Sequence, residues 1–203
     1  MRRLAACLAL VAAIGSASAA GVSSDPRAAP PGAYQMDTKH TQVIFAIRHL
    51  GITDYYGRFE KFSGTLNFNP AAPEKSAVDV AIDTSSVSVM SSELMGELTG
   101  ASVFDSAKFP KATFVSTALT RTGPNTGTMT GNLTLHGVTK PVTLNVTFNG
   151  GVANPTSGGY AVGFHAETTI HRPDFGLSSM MWNSFVSDDV KLTIEAMFEQ
   201  KKA

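Results

Sequence analysis

The run Val142-Thr143-Leu144-Asn145-Val146-Thr147-Phe148 alternates apolar and polar side chains, and the same two-residue rhythm recurs along most of the chain. Successive side chains of a strand point to opposite faces, so this rhythm predicts a sheet with one apolar and one polar face. Residues 41–50 place Val43, Phe45 and Ile47 on one side. Residues 52–56 and 58–68 are the next strands, flanking Gly57 as a bend or bulge. Residues 76–88 group Val78, Val80 and Ile82 opposite Asp79 and Asp83, and residues 112–119 follow. Residues 126–135 set Met129, Leu133 and Leu135 against Thr128, Thr130, Asn132 and Thr134. His136-Gly137 then sits where a tight hairpin turn belongs. Residues 160–170 and 190–198 complete about eight strands. Two stretches break the rhythm. Residues 91–104 carry Leu94, Met95 and Leu98 at helical spacing and predict a short helix and loop, while residues 175–186 read as a loop or helical turn.

No long helix is available to cover the apolar face, so the sheet must close on itself. The direction of that face separates two kinds of barrel. A membrane barrel turns apolar residues to lipid and carries aromatic girdles at both interfaces. This chain has one tryptophan and four tyrosines, and its last strand ends in Glu199-Gln200-Lys201-Lys202. The pattern therefore predicts an all-β antiparallel barrel with an apolar interior, with a β-sandwich as the structural alternative.

Composition and the first residues change the picture in one respect. Arg2 and Arg3 precede an apolar stretch over residues 4–14, and Ala17-Ser18-Ala19 offers small residues for a signal peptidase. Residues 1–19 thus read as a cleaved secretory signal. Leu4-Ala5-Ala6-Cys7 resembles a lipoprotein box, but no apolar region precedes it, so Cys7 reads as part of the signal core. Residues 20–33, with Pro26, Pro30 and Pro31, read as a flexible leader, and residues 34–203 as one domain. The only cysteine lies in the signal, which leaves no disulfide framework. The whole chain balances 16 Lys and Arg against 16 Asp and Glu, and losing Arg2 and Arg3 tips it to −2. No basic face or motif invites a nucleic acid.

From Tyr34 onward the chain resembles the YceI-like family of bacterial periplasmic proteins. The segments that carry the resemblance are Asp37 with His40-Thr41-Gln42-Val43-Ile44-Phe45, Arg48-His49-Leu50-Gly51-Ile52 and Gly57-Arg58-Phe59. They continue as Val103-Phe104-Asp105, Lys108-Phe109-Pro110, the stretch from Gly131 to Val142, and Arg172-Pro173-Asp174-Phe175-Gly176-Leu177. The resemblance implies an elongated eight-stranded antiparallel lipocalin-like β-barrel with a short helix or helical loop at one end. It further implies periplasmic location and a bound polyisoprenoid, isoprenoid quinone or fatty-acid derivative. The chain departs from the family pattern at Glu97-Leu98 and Val103, and Met180-Met181-Trp182-Asn183 is unusually rich in large apolar groups. Head-group preference is thus what the resemblance transfers least.

A long apolar ligand needs length rather than directional chemistry, since each buried methylene is worth about 0.8 kcal/mol. Phe45, Ile47, Phe59, Phe114, Met129, Leu133, Leu144, Val146 and Phe164 lie on apolar faces as candidate tunnel residues, with ordinary core as the competing reading for each. Met90, Leu94, Met95, Phe104, Phe175, Met180, Met181 and Trp182 are candidates for the mouth and caps, where unbranched thioethers adapt to variable ligands. Arg48, His49, Arg58 and Asp174 are candidates for a polar head, and His171 and Arg172 belong to the same polar set.

Catalysis finds little support. The five histidines are scattered without a His-x-x-x-His pair, and Gly-x-Ser-x-Gly, Cys-x-x-Cys-His and phosphate-cradling glycine loops are all missing. Asp188/Asp189 and Asp79/Asp83 read as solvated strand residues rather than acid-base dyads. The expectation is a carrier that needs no metal or cofactor and takes a long-chain lipid as its partner, with a membrane protein as candidate donor or acceptor. The alternative is a scaffold or stress-related interaction protein whose barrel is filled.

Overall fold

Strand pairing closes into a ring. A computed structural model describes residues 21–178 and 180–200, so the expected signal lies outside the described residues. Within them the strand segments are β1 (Gly32–Met36), β2 (Gln42–His49), β3 (Thr53–Phe59), β4 (Phe62–Phe68), β5 (Ala77–Asp83) and β6 (Val87–Ser88). They continue as β7 (Lys111–Arg121), β8 (Thr126–Leu135), β9 (Val138–Ala153), β10 (Tyr160–His171) and β11 (Val186–Gln200), with helices α1 (Ser92–Thr99) and α2 (Met180–Asn183). Hydrogen bonding runs β1-β4-β5-β7-β8-β9-β10-β11, and β11 returns to β1. The eight-stranded antiparallel barrel expected from the alternation is the fold that forms.

Two of its eight staves are interrupted. β11 pairs with β1 through Phe198 and Glu199 and, lower in number, with β2 from Val190 to Glu195. β1 and β2 thus lie end to end, as do β4 and β3 beside them. Between β1 and β2 the chain makes a turn in which Asp37 Oδ1 accepts from Lys39 N and Thr41 N donates to the Asp37 carbonyl. Met197 holds both sides of that turn, accepting from Asp37 N and receiving Thr41 Oγ1 as acceptor for its own N–H. The break between β3 and β4 falls at Glu60 and Lys61, whose N–H groups donate to Ser86 O and Ser86 Oγ, each at 3.0 Å.

Gly57 was the expected site of that break, yet it continues β3 opposite Phe45. Its role is close approach: a Cβ there would stand 2.2 Å from Phe45 Cζ. The expected His136-Gly137 hairpin forms, with φ of 52° and 76°, as a two-residue type I′ turn requires.

The staves define two poles. At the lower pole β1 begins, β11 ends, and the β4–β5, β7–β8 and β9–β10 connections turn. Gln200 Nε2 donates to Pro31 O, joining the end of β11 to the residue before β1 there. At the upper pole lie the β2–β3 and β8–β9 turns, α1 with residues 100–110, and the β10–β11 connection containing α2.

Residues 21–31, expected as part of a flexible leader, are packed on the lower pole. Ser23 and Gly151 exchange both backbone hydrogen bonds at 2.9 Å, Pro26–Ala28 form a 3-10 turn capped by Asp25, and Ala29 is buried. Proline favours this ordering because its φ is already fixed, which leaves less entropy to lose. Ala29 joins a lower core of Tyr34, Leu66, Phe68, Phe148, Val162 and Phe198. A smaller upper core contains Ala112, Leu135, Ile170, Phe175 and Leu177.

Candidate functional site

The inward faces of the staves enclose two apolar cavities, of about 220 Å³ in the lower half and about 630 Å³ in the upper half. Val43, Ile82, Leu133 and Leu192 line both. These four side chains form a waist where the two cavities abut, end to end along the barrel.

All nine candidate tunnel positions lie on the cavity linings. Phe114, Met129, Leu144, Val146 and Phe164 line the lower cavity, Phe45, Ile47 and Phe59 line the upper one, and Leu133 stands at the waist. The lower cavity rests on a cluster of rings in which Phe164 meets Phe148 edge-on at 5.4 Å and Phe68 at 5.9 Å. Edge-to-face rings at such separations add to the stabilisation from burial alone. Tyr34 underlies Phe68, its hydroxyl donating to Pro30 O at 2.6 Å, and burial pushes the phenol pKa up to about 12. Pro26 and Arg27 from the N-terminal segment, with Arg121 and Pro124 from the β7–β8 turn, complete the lower mouth.

Local chemistry builds the upper cap. Ser91 Oγ accepts from Leu94 N and caps α1, and the i, i+4 pair Leu94 and Leu98 faces the cavity. After the helix, Asp105 N donates to Gly100 O and Ser106 N to Thr99 O, folding the chain back. That fold carries Phe104 inward until its ring stands 5.6 Å from Phe59. The buried Thr84 anchors the far side of the segment, its Oγ1 donating to Phe109 O at 2.7 Å. Trp182 of α2 lines the cavity as well.

Several candidates for mouth and head group stand elsewhere. Strand alternation turns Arg48 outward from Ile47 and Arg58 outward from Phe59, where they pair with Asp54 at 3.1 Å and Glu60 at 2.7 Å. Asp174 is exposed and pairs with Lys140 at 3.5 Å. Met90 is 98% exposed because Val89 before it takes the inward position. Phe175 packs in the upper core, and Met95 is half-buried off the lining. The side chains of Met180 and Met181 are outside the described set. His49 does line the upper cavity.

The ionisable group most deeply placed in that lining is Arg172, which is 6% exposed. Its Nε donates to Ser187 O, Nη1 to Leu177 O, and Nη2 to both Asn183 Oδ1 and Asp188 Oδ1, at 2.7–3.0 Å. One guanidinium therefore ties the β10–β11 connection to the barrel while Asp188 balances its charge. Its position just beyond β10 hides this role from strand periodicity, because the partners come from three later segments. Among the described residues no cluster of three or more His, Cys, Asp or Glu side chains is arranged to hold a metal ion.

A closed antiparallel barrel around two abutting apolar cavities, capped at one pole by a short helix, defines the class. The model of the YceI-like domain family matches residues 34–198, and the chain belongs to that family. It is 42% identical over 139 residues to a UPF0312 protein of Pseudomonas savastanoi pv. phaseolicola, covering 68% of this chain and 72% of that one. Among solved structures it is similar to Burkholderia cenocepacia BcnA, with TM-score 0.72 and 27% identity over 80% of this chain and 98% of that one. A polyisoprenoid binding domain from Saccharophagus degradans shares the fold, with TM-score 0.63 and 19% identity over 82% of this chain and 97% of that one.

Proposed function

We propose that this protein sequesters one long-chain lipid in its tunnel and carries it through the periplasm without covalent chemistry. The observation that carries the reading is the waist, where Val43, Ile82, Leu133 and Leu192 are shared by two apolar cavities. A tail threading that waist stays in apolar surroundings along its whole length, and each methylene it buries contributes about 0.8 kcal/mol. The open volume weighs against a filled scaffold. Support for lipid as the class comes from the fold shared with the polyisoprenoid binding domain, and support for the periplasm from the signal-like first 19 residues.

The upper lining also favours one kind of head. Arg172 is already paired with Asp188, and the remaining side chains with polar groups there are His49, Tyr55, Ser102 and Trp182. A fixed cation already neutralised offers little to a pyrophosphate, whereas hydroxyl and imidazole groups suit an alcohol or quinone oxygen. For a head group seated at the upper end, an uncharged isoprenoid alcohol or quinone is therefore preferred ahead of a pyrophosphate ester.

The test is native mass spectrometry of protein exported by its own host, followed by extraction and fragmentation of any retained molecule. The expected result is one isoprenoid or acyl lipid per chain. Folded protein recovered uniformly empty overturns the reading.

A further inference from the structure

An apolar rim borders one side of the upper cavity. Leu50, Ile52, Tyr56, Met90 and Phe185 are five of the seven large apolar side chains exposed among the described residues, and all five lie at or near the upper pole. Four of them stand next in sequence to a residue that lines the cavity: His49 before Leu50, Tyr55 before Tyr56, Val89 before Met90, and Val186 after Phe185. Within β3 neighbours face opposite ways, so Tyr56 points outward from Tyr55, while Leu50 and Phe185 lie in turns and Met90 in a bend beside lining residues.

The rim segments also touch. Leu50 N donates to Phe185 O at 2.7 Å, joining the β2–β3 turn to the start of β11. Val89 Cγ1 lies 2.8 Å from the place a Cβ on Gly57 would occupy, which sets the segment before Met90 alongside Tyr56. Between these contacts residues 53–57 of β3 ladder only with β2 among the described residues, leaving the wall thinnest here. Beside the rim Arg48 pairs with Asp54, and His171 lies 3.0 Å from Asp189.

We propose that this rim docks on the surface of a lipid bilayer, with Ile52 and Phe185 entering the acyl boundary. The proposal rests on the lipid-carrying reading, because the docked rim lets a tail pass from bilayer to cavity without crossing water. A bilayer fits these observations better than a protein partner. It accepts apolar side chains from several separate segments without a complementary shape, and apolar burial at its interface needs no net charge on the rim. Ile52, at 74% exposure beside the positive-φ pair Leu50 and Gly51, sits on the foremost turn.

The test is co-sedimentation of exported protein with vesicles of phosphatidylcholine and phosphatidylethanolamine. The wild type should bind, with little change between about 0.05 and 0.5 M salt, since apolar insertion is not screened. The double variant Ile52→Asp/Phe185→Asp should lose at least tenfold in partition, while Val115→Asp, an exposed apolar position on β7, should bind as the wild type does. Equal partition of the double variant and wild type overturns the proposal, as does wild type that stays in solution. Self-association abolished by the double variant, without vesicle binding, assigns the rim to a second copy and also overturns it. Occupancy is read separately, by mass spectrometry after loading with detergent-solubilised isoprenoid alcohol. Unchanged occupancy in the double variant supports the proposal. Both proteins empty while wild type still sediments would sink the carrier reading and leave the docking surface standing.

Discussion

Phe45 and Gly57 face each other across the β2–β3 ladder, and the phenyl ring fills the space that a side chain at 57 would need. Phe114, the partner of Leu133, reaches diagonally across the β7–β8 ladder over Gly131, with its Cζ 2.3 Å from the would-be Cβ. Gly57→Ala should push the Phe45 ring into the upper cavity, so it is expected to cost about 1 kcal/mol and to lower lipid retention more than stability. Gly131→Ala meets the Val115 carbonyl at 2.7 Å as well as the ring, so relief is harder and about 2–3 kcal/mol is expected. Urea midpoints, read with unchanged slopes, rank the two variants.

The waist predicts a length cut-off. Leu133→Trp places a larger side chain where the two cavities meet, so long tails should be excluded while short ones remain. Mass spectra of extracted lipid are expected to shift to shorter chains. An unchanged length distribution in folded protein means that the tail does not pass Leu133.

Arg172 predicts a structural cost. Arg172→Met removes four hydrogen bonds and leaves Asp188 without its buried partner, which should destabilise the fold by about 3 kcal/mol. Arg172→Lys should recover little, since an ammonium does not reproduce the planar fork. Thermal denaturation of the three proteins decides, with equal midpoints as the contrary result.

The His171–Asp189 pair predicts a weak pH dependence with a definite sign. The hydrogen bond that the imidazole donates to Asp189, opposed by desolvation and aided by the carboxylates of Asp174 and Asp188, holds the imidazole pKa above its ordinary 6.5. A raised folded-state pKa stabilises the fold below the unfolded value, and the gain disappears as pH rises through the folded value. The wild type should therefore exceed His171→Gln in melting temperature near about pH 5.5 and match it by about pH 8. The pair is exposed, so the gap is small, and a gap that stays constant with pH contradicts the assignment.

Period-two alternation was enough to orient the staves. It set Phe45, Ile47, Leu144 and Val146 on the inward side because each strand is long and apolar on one face only. The same rule, pressed further, orients Arg48, Arg58 and Met90 outward, since each adjoins an inward Ile47, Phe59 or Val89. Arg172 was legible only as a polar residue after a strand, because its burial depends on carbonyls and a carboxylate brought in by folding. β1 and the segment before it were hidden by their prolines and glycine, for what orders them is pairing with Thr65, Gly151 and Glu199, far away in sequence.

The meeting of Gln200 with Pro31 gives the molecule a geometrical polarity. Both ends of the described chain leave from one pole, and the exposed Ile52 turn occupies the other. Attachment through described residues at the lower pole, such as Gln200, would therefore present the opposite pole outward, so a sensor surface carrying this protein would display every copy with its helix-capped end toward the sample.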